Sequence, residues 1–348
     1  MKISPNDMAT TPSNLSDTSR AYLNENINAF LLERREHTYN GQGKNIQIAT
    51  LKGICLQIEH DLRRGSIEYL KAIILGWREL YKLSLLKNTK ANRKVIVIGN
   101  GPSQEYIKPE VLKEFKKNGN DIFTINYWNK NNIFSTFSPT HFVTSDPYVL
   151  REETGSTIPS YLVENNKALK ERLLNDMDIF IFSPVWQVKS LLNVYGPGRV
   201  CGYIDGEMRS LNSNIDPRFP RGYVSMTLYK ALALAIHMGY QETYLIGMDN
   251  TYPRDIFCDN NNKILRRERH AGGGDYMIDI TKLIPSMDVQ MQDIFNLFYD
   301  LRRCFQGVGV INLDPYSLTD VFQKITKISE IDDLLTSDLS ALKVGQYR

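Results

Sequence analysis

The spacing of apolar positions changes at Lys94. Before it, Tyr22, Leu23, Ile27, Phe30 and Leu31 predict a helix over about residues 20–36, and the polar stretch TYNGQGKN ends it. A second zone, residues 46–86, carries Ile54, Ile58, Leu62, Ile67, Leu70, Ile73, Leu80, Leu83 and Leu86. Their spacing is nearer 3.6 than 2, which predicts helix with breaks near Gly65 and Gly76. After Lys94 short apolar runs alternate with helical stretches. Residues 95–98, 121–125, 141–144, 179–182, 243–246 and 308–312 read as strands. The segment Val224 to Met238 is apolar on nearly all sides and predicts a helix buried against a sheet.

This alternation predicts an α/β protein with a Rossmann-like, mainly parallel sheet, helices on both faces and a helical N-terminal extension. The expected division is a polar tail and helical extension over 1–93, a nucleotide-sugar-binding catalytic domain over 94–330 and a C-terminal tail over 331–348.

Charge narrows the function. Among 348 residues, 42 Lys and Arg face 39 Asp and Glu, a net charge of +3, so the basic field of a dedicated nucleic-acid binder is absent. The extension is locally basic: Arg63, Arg64, Lys71, Arg78, Lys82 and Lys87 accompany its apolar positions. Such a helix fits an anionic membrane surface, its own domain or a second subunit, which leaves peripheral membrane contact and a homo-oligomer both open. Residues 1–19 lack the apolar centre of a signal peptide, and no run reaches the roughly 18 apolar residues of a membrane span. Cys55, Cys201, Cys258 and Cys304 form no CxxC pair and read as buried thiols in a reducing compartment. The expectation is a cytoplasmic protein that can work at the inner face of the cytoplasmic membrane.

The sharpest motif is the run from Lys94 to Ser103, KVIVIGNGPS. A strand enters a glycine turn and then a predicted helix, the geometry that aims backbone N–H groups at an anion. Gly99 and Gly101 allow close approach, Pro102 follows, and Ser103 is a candidate N-cap or phosphate contact. Other strand ends are polar too: Asn126-Tyr127-Trp128, Ser145-Asp146-Pro147 and Gly247-Met248-Asp249-Asn250. In doubly wound sheets ligands bind beyond the carboxyl ends of the strands. His37, His60, His141 and His237 read as structural. His270 follows Arg266, Arg267 and Arg269 in a glycine-rich stretch expected to close over substrate, where it can act as a general base.

Taken together, VIVIGNGPS, DIFTINYWNK, THFVTSDPYVL, RGYVSMTLYKALALAIHMGYQETYLIGMDNTY and VINLDPYSLTDVF resemble two related groups. One is the bacterial sialyltransferases of glycosyltransferase family 42; the other is the 6-hydroxymethylpterin pyrophosphokinase (MptE-like) domain of bacterial surface-glycan proteins. The resemblance covers about Lys94 to Phe322. It implies that Gly99, Asn100, Gly101, Pro102, Ser103 and Asn126 hold a nucleotide donor. Asp146, Ser225, Thr227, Gly247 and Asp249 complete that site. It gives Tyr252 the leaving phosphate, His270 the role of catalytic base, and Tyr127, Trp128 and Arg269 contacts to acceptor or phosphate. Asp146 stands where the sialyltransferases carry Asn before Pro, close to the donor carboxylate; Ser-Asp-Pro is the MptE-like form.

Three readings follow. The first is an inverting glycosyltransferase that needs no metal. It would move a sugar, CMP-linked and nonulosonic or sialic-acid-like, onto a surface-glycan or lipid-linked acceptor. The second is an ATP- and Mg²⁺-dependent pyrophosphokinase of a pterin-type alcohol, with Asp146 and Asp249 on the metal and Tyr127 and Trp128 against a flat ring. The third is a non-catalytic nucleotide-binding scaffold.

Overall fold

A computed structural model describes residues 55, 58–59, 61–150, 160–268, 276–279 and 287–337. The elements in chain order are α1 (Ser66–Leu85), β1 (Lys94–Ile98), α2 (Pro109–Lys117), β2 (Asp121–Ile125), β3 (His141–Val143), α3 (Ser160–Asn175), β4 (Phe180–Pro184), α4 (Val185–Tyr195), β5 (Val200–Tyr203), α5 (Thr227–Met238), β6 (Glu242–Ile246), β7 (Ile256–Cys258), β8 (Ile264–Glu268), β9 (Tyr276–Asp279), α6 (Met287–Phe305), β10 (Val310–Asn312), β11 (Gln323–Lys324) and α7 (Glu330–Thr336).

Eight strands make one sheet in the order β11-β10-β6-β1-β2-β3-β4-β5, and every pairing is parallel. Parallel strands buried on both faces need apolar residues on both. Val95 and Val97 of β1 pack with α5 and with Leu301 and Phe305 of α6. Ile96 and Ile98 pack with Leu112 and Phe115 of α2 and with Leu169 and Leu173 of α3. The expected Rossmann-like α/β architecture is the one observed. Strand order reverses between β1 and β6, which opens a crevice at their carboxyl ends.

Several local expectations change. Gly76 does not break the helix. It lies inside α1 because a Cβ there would sit 2.0 Å from a methyl of Val185, so glycine lets α1 press against the start of α4. Asp61–Gly65 forms a π-turn ahead of α1. Strands β5, β7, β8, β9 and β11 lie outside the predicted runs. Arg266, Arg267 and Glu268, expected in a closing loop, belong to β8 of an antiparallel three-stranded sheet, β7-β8-β9. The start of the expected C-terminal tail is the packed helix α7. Its Ile331 and Leu335 are buried, and Lys94 Nζ donates to the carbonyls of Leu334 (3.5 Å) and Ser337 (3.1 Å). Of the four thiols only Cys201 is fully buried; Cys55 and Cys258 are exposed. His141 is structural, stacked on Phe123 at 4.3 Å, and burial pushes its pKa down to about 4. His237 is structural too: its Nε2 bonds the Leu83 carbonyl at 2.9 Å. His37 and His60 lie outside the described residues. Among the described residues, no helix is long and apolar enough to cross a membrane.

At the crevice the chains leaving β1 and β6 touch backbone to backbone. A Cβ on Gly99 would lie 2.3 Å from the Gly247 carbonyl oxygen, and one on Gly247 would lie 2.5 Å from that of Gly99. Gly247 also has φ +73°, where side chains are strained. Gly247→Ala is expected to cost about 3 kcal/mol or more, combining strain with overpacking. Gly196→Ala, at φ +82° with open space around it, is expected to cost only about 1–2 kcal/mol. Urea unfolding midpoints of the two variants check the difference; equal losses would remove the steric argument.

Candidate functional site

The glycine turn after β1 is stapled to the segment after β6. Gly99 N–H donates to the Ile246 carbonyl (2.8 Å), Gly101 N–H to that of Gly247 (3.0 Å) and Ser103 N–H to Asp249 Oδ1 (3.2 Å). Gly247 N–H returns a bond to Ser103 Oγ (3.0 Å). Three N–H groups expected to face an anion are therefore spent inside the protein. Pro102 opens a short 3₁₀ turn rather than a helix, and the Ser103 hydroxyl is buried against Gly247 instead of capping one. Asn100 stays half-buried, its Oδ1 accepting from Asn131 Nδ2 at 3.4 Å.

Asp249 sits beneath this turn. A Cβ on Gly101 would lie 1.8 Å from its Oδ2, so only glycine fits over the carboxylate. No N–H or O–H donor reaches Oδ2. Burial and the neighbouring Asp314 carboxylate push Asp249 up to about 7, against the hydrogen bonds from Ser103. The two acids stand close together at the carboxyl ends of β6 and β10. Asp314 was not among the expected site residues, yet its signal was present. The tripeptide Asp-Pro-Tyr occurs at 146–148 and again at 314–316, after a strand both times. Both copies fold alike: Asp146 Oδ1 accepts from Tyr148 N–H (2.8 Å), and Asp314 Oδ1 from Tyr316 N–H (2.9 Å).

On the other side of β1 the polar ends of β2 and β3 meet the start of α5. Asn126 has φ +44°, a left-handed conformation that Asn tolerates better than most residues. Its Nδ2 donates to Thr227 Oγ1 (3.4 Å), which bonds Ser145 Oγ (2.7 Å). Asn126 Oδ1 is buried without a partner. A buried unpaired acceptor costs about 1–3 kcal/mol, a cost that a bound donor group would relieve.

Behind this lies a charge network that the sequence reading passed over. Lys230 in α5 is buried, 2.5 Å from Asp205 Oδ1, and donates to Ser225 Oγ at 3.0 Å. Arg221 spans Asp205 (3.3 Å) and Glu207 (2.9 Å). Burial draws Lys230 down to about 8, opposed chiefly by Asp205. Asp146 is raised by burial, while the Tyr148 N–H and the Lys230 charge oppose that rise. The donor-site expectation for Ser225 thus meets a residue already committed to Lys230. The missed signals were a lone lysine in an apolar helix and an Asp directly after the run Val200 to Ile204.

The remaining expected residues divide. Trp128 is fully buried, edge-on to Phe134 at 5.4 Å, and cannot stack on a ligand ring. The Tyr127 hydroxyl donates to Asn166 Oδ1 (3.0 Å), which directs it to α3. Tyr252 is half-buried in a 3₁₀ turn, with the Arg266 guanidinium 5.6 Å from its ring centroid. Arg269 and His270 lie outside the described residues. Among the described residues no group of three or more His, Cys, Asp or Glu side chains is arranged to hold a metal ion.

No protein-family model and no curated protein matches this chain. Among solved structures it is similar to the MAf glycosyltransferase from Magnetospirillum magneticum AMB-1, at 13% identity and a TM-score of 0.40. The match covers 75% of this chain and 42% of the other, so this chain spans less than half of that protein's length.

The raised pKa of Asp249 makes stability pH-dependent. With its folded pKa raised, Asp249 keeps a proton that the unfolded chain releases between about pH 4 and about pH 7. The folded state binds more protons across that window, so this contribution to stability falls as pH rises through it. Asp249→Asn keeps the acceptor for Ser103 and supplies a fixed donor. It is expected to gain on the wild type steadily between those two pH values, read as urea midpoints at each. A gap independent of pH would exclude the raised pKa of Asp249.

Proposed function

We propose that the chain is an inverting glycosyltransferase that binds a nucleotide-activated sugar at the carboxyl ends of β1, β2, β3 and β6. One observation carries this reading. The segments behind the sequence resemblance converge on the crevice where strand order reverses, and the polar groups there are short of partners: both Asn126 Oδ1 and Asp249 Oδ2 are buried without a donor. The nucleotide supplies N–H and O–H donors to such acceptors.

In this reading the acceptor hydroxyl oxygen attacks the anomeric carbon as the bond to the donor phosphate breaks. The electron pair leaves with the nucleotide, and the hydroxyl proton passes to His270, the base that the resemblance implies. Because the N–H groups of Gly101 and Ser103 are already bonded, charge on the departing phosphate falls to Tyr252 and the neighbouring arginines. Lys230 opposes the burial-driven rise of Asp146, so the acidic sugar of this reading, such as a CMP-linked nonulosonic acid, would meet a paired cation as well as the carboxylate at that end of the site. A surface glycan or lipid-linked sugar is the acceptor class.

The paired carboxylates Asp249 and Asp314 favour a second reading, the Mg²⁺-dependent pyrophosphokinase, because two acids beside a phosphate site can share a cation. Thermal unfolding with CMP, CDP, UDP, GDP and ATP, each with and without Mg²⁺, separates the two. A ligand of the folded state raises Tm in proportion to ln(1 + [L]/Kd). The expected result is a rise with CMP that ignores Mg²⁺ and shrinks in Asn126→Ala, a loss of about tenfold in affinity. A rise with ATP only in the presence of Mg²⁺ transfers the assignment to the pyrophosphokinase.

A further inference from the structure

Helix α1 is buried on one side and exposes an apolar stripe on the other. One side, with Gly76, Glu79 and Leu83, is buried against α4, β5 and the core. The other carries Ile67, Leu70, Ile74, Trp77, Tyr81 and Leu85, each three or four residues from the last. Their exposure runs from 49% at Ile67 to 72% at Ile74. At 1.5 Å per residue this stripe is roughly 30 Å long, far more apolar surface than a scatter of single exposed residues.

The exposed charges nearest the middle of the stripe are both positive. Lys71 and Arg78 are exposed and flank Ile74, and the Arg78 guanidinium lies 5.3 Å from the Trp77 ring centroid. Of the two acidic residues of α1, Glu79 is turned inward and paired with Lys82 at 2.8 Å, while the exposed Glu68 lies in the first turn, six residues ahead of Ile74. A two-fold antiparallel pairing of two such helices about Ile74 would set Lys71 of one chain beside Arg78 of the other, twice over, which like charges oppose. An anionic surface reverses that sign. Trp77 and Tyr81 within the stripe suit the boundary between headgroups and acyl chains, where amphipathic rings collect.

We propose that the exposed face of α1 docks on a lipid surface bearing acidic headgroups. The helix lies in the plane of the membrane, Ile74, Trp77 and Tyr81 enter the acyl boundary, and Lys71 and Arg78 meet the headgroups. This inference does not depend on the glycosyltransferase reading.

The test is co-sedimentation of the full chain with vesicles of phosphatidylcholine alone or with about a quarter phosphatidylglycerol. The expected result is binding to the acidic vesicles about tenfold or more tighter than to the neutral ones, weakened by salt. Lys71→Glu/Arg78→Glu is expected to lower that binding about tenfold or more. Ile74→Ser/Trp77→Ser is expected to lower it similarly while leaving Tm unchanged, because both residues face outward. Absence of binding, or binding that neither variant changes, overturns the proposal. So does a fall in Tm for Ile74→Ser/Trp77→Ser, which would mean the chain covers this face itself. A dimer that becomes a monomer in that variant would assign the stripe to a second copy instead.

Discussion

The crevice exists because two glycines permit the chain to cross itself without side chains between. Gly99 and Gly247 end neighbouring strands, β1 and β6, and each would drive a Cβ into the other's backbone. Their contact sets the spacing at which Ser103 reaches Gly247 and Asp249 reaches Ser103. Gly101 then leaves room for the Asp249 carboxylate. Each step of the site follows from the absence of a side chain at the previous one, so the geometry at the switch point is fixed by volume before it is fixed by hydrogen bonds.

Charge is distributed unevenly across that geometry. On the β6 and β10 side two acids stand together, and burial and its neighbour raise Asp249. On the β3 and β5 side, Lys230 and Arg221 are matched by Asp205 and Glu207. A ligand spanning the crevice would meet hydrogen-bond acceptors at one end and a compensated cation at the other. That asymmetry gives a ligand a direction, because the two halves of a nucleotide sugar differ in charge and in donor content. The paired Asp-Pro-Tyr turns put the same backbone device on both sides and let the surrounding charges distinguish them.

The central strands were legible because strands covered on both faces read as unbroken apolar runs, as in KVIVI and DIFTI. Strand β5 was not: VCGY carries a glycine, there because Glu79 of α1 leaves no room for a side chain at Gly202. The polar strand ends are visible in the sequence, but which of their groups are already bonded is not. The N–H groups of Gly101 and Ser103 are consumed by residues 146 positions or more away, and no local pattern records such a bond. Trp128 illustrates the same limit: an aromatic after a strand suggests a stacking platform, while the packing of Phe134 and Arg172 around it makes it core. Lys230 was hidden by its setting, since its partner Asp205 comes from a different strand end.

The packing of Gly76 against Val185, and of Glu79 against Gly202, has a consequence at the margin of the sheet. Strand β5 is the last of eight, and an uncovered last strand offers its unpaired N–H and C=O groups to any other extended chain. With α1 laid along it, a strand from another molecule meets a helix instead of a ladder. At the opposite margin β11 is only two residues long, too short to recruit a partner. One border of the sheet is thus walled by α1 and the other is kept short, so neither presents a long open ladder to a second chain.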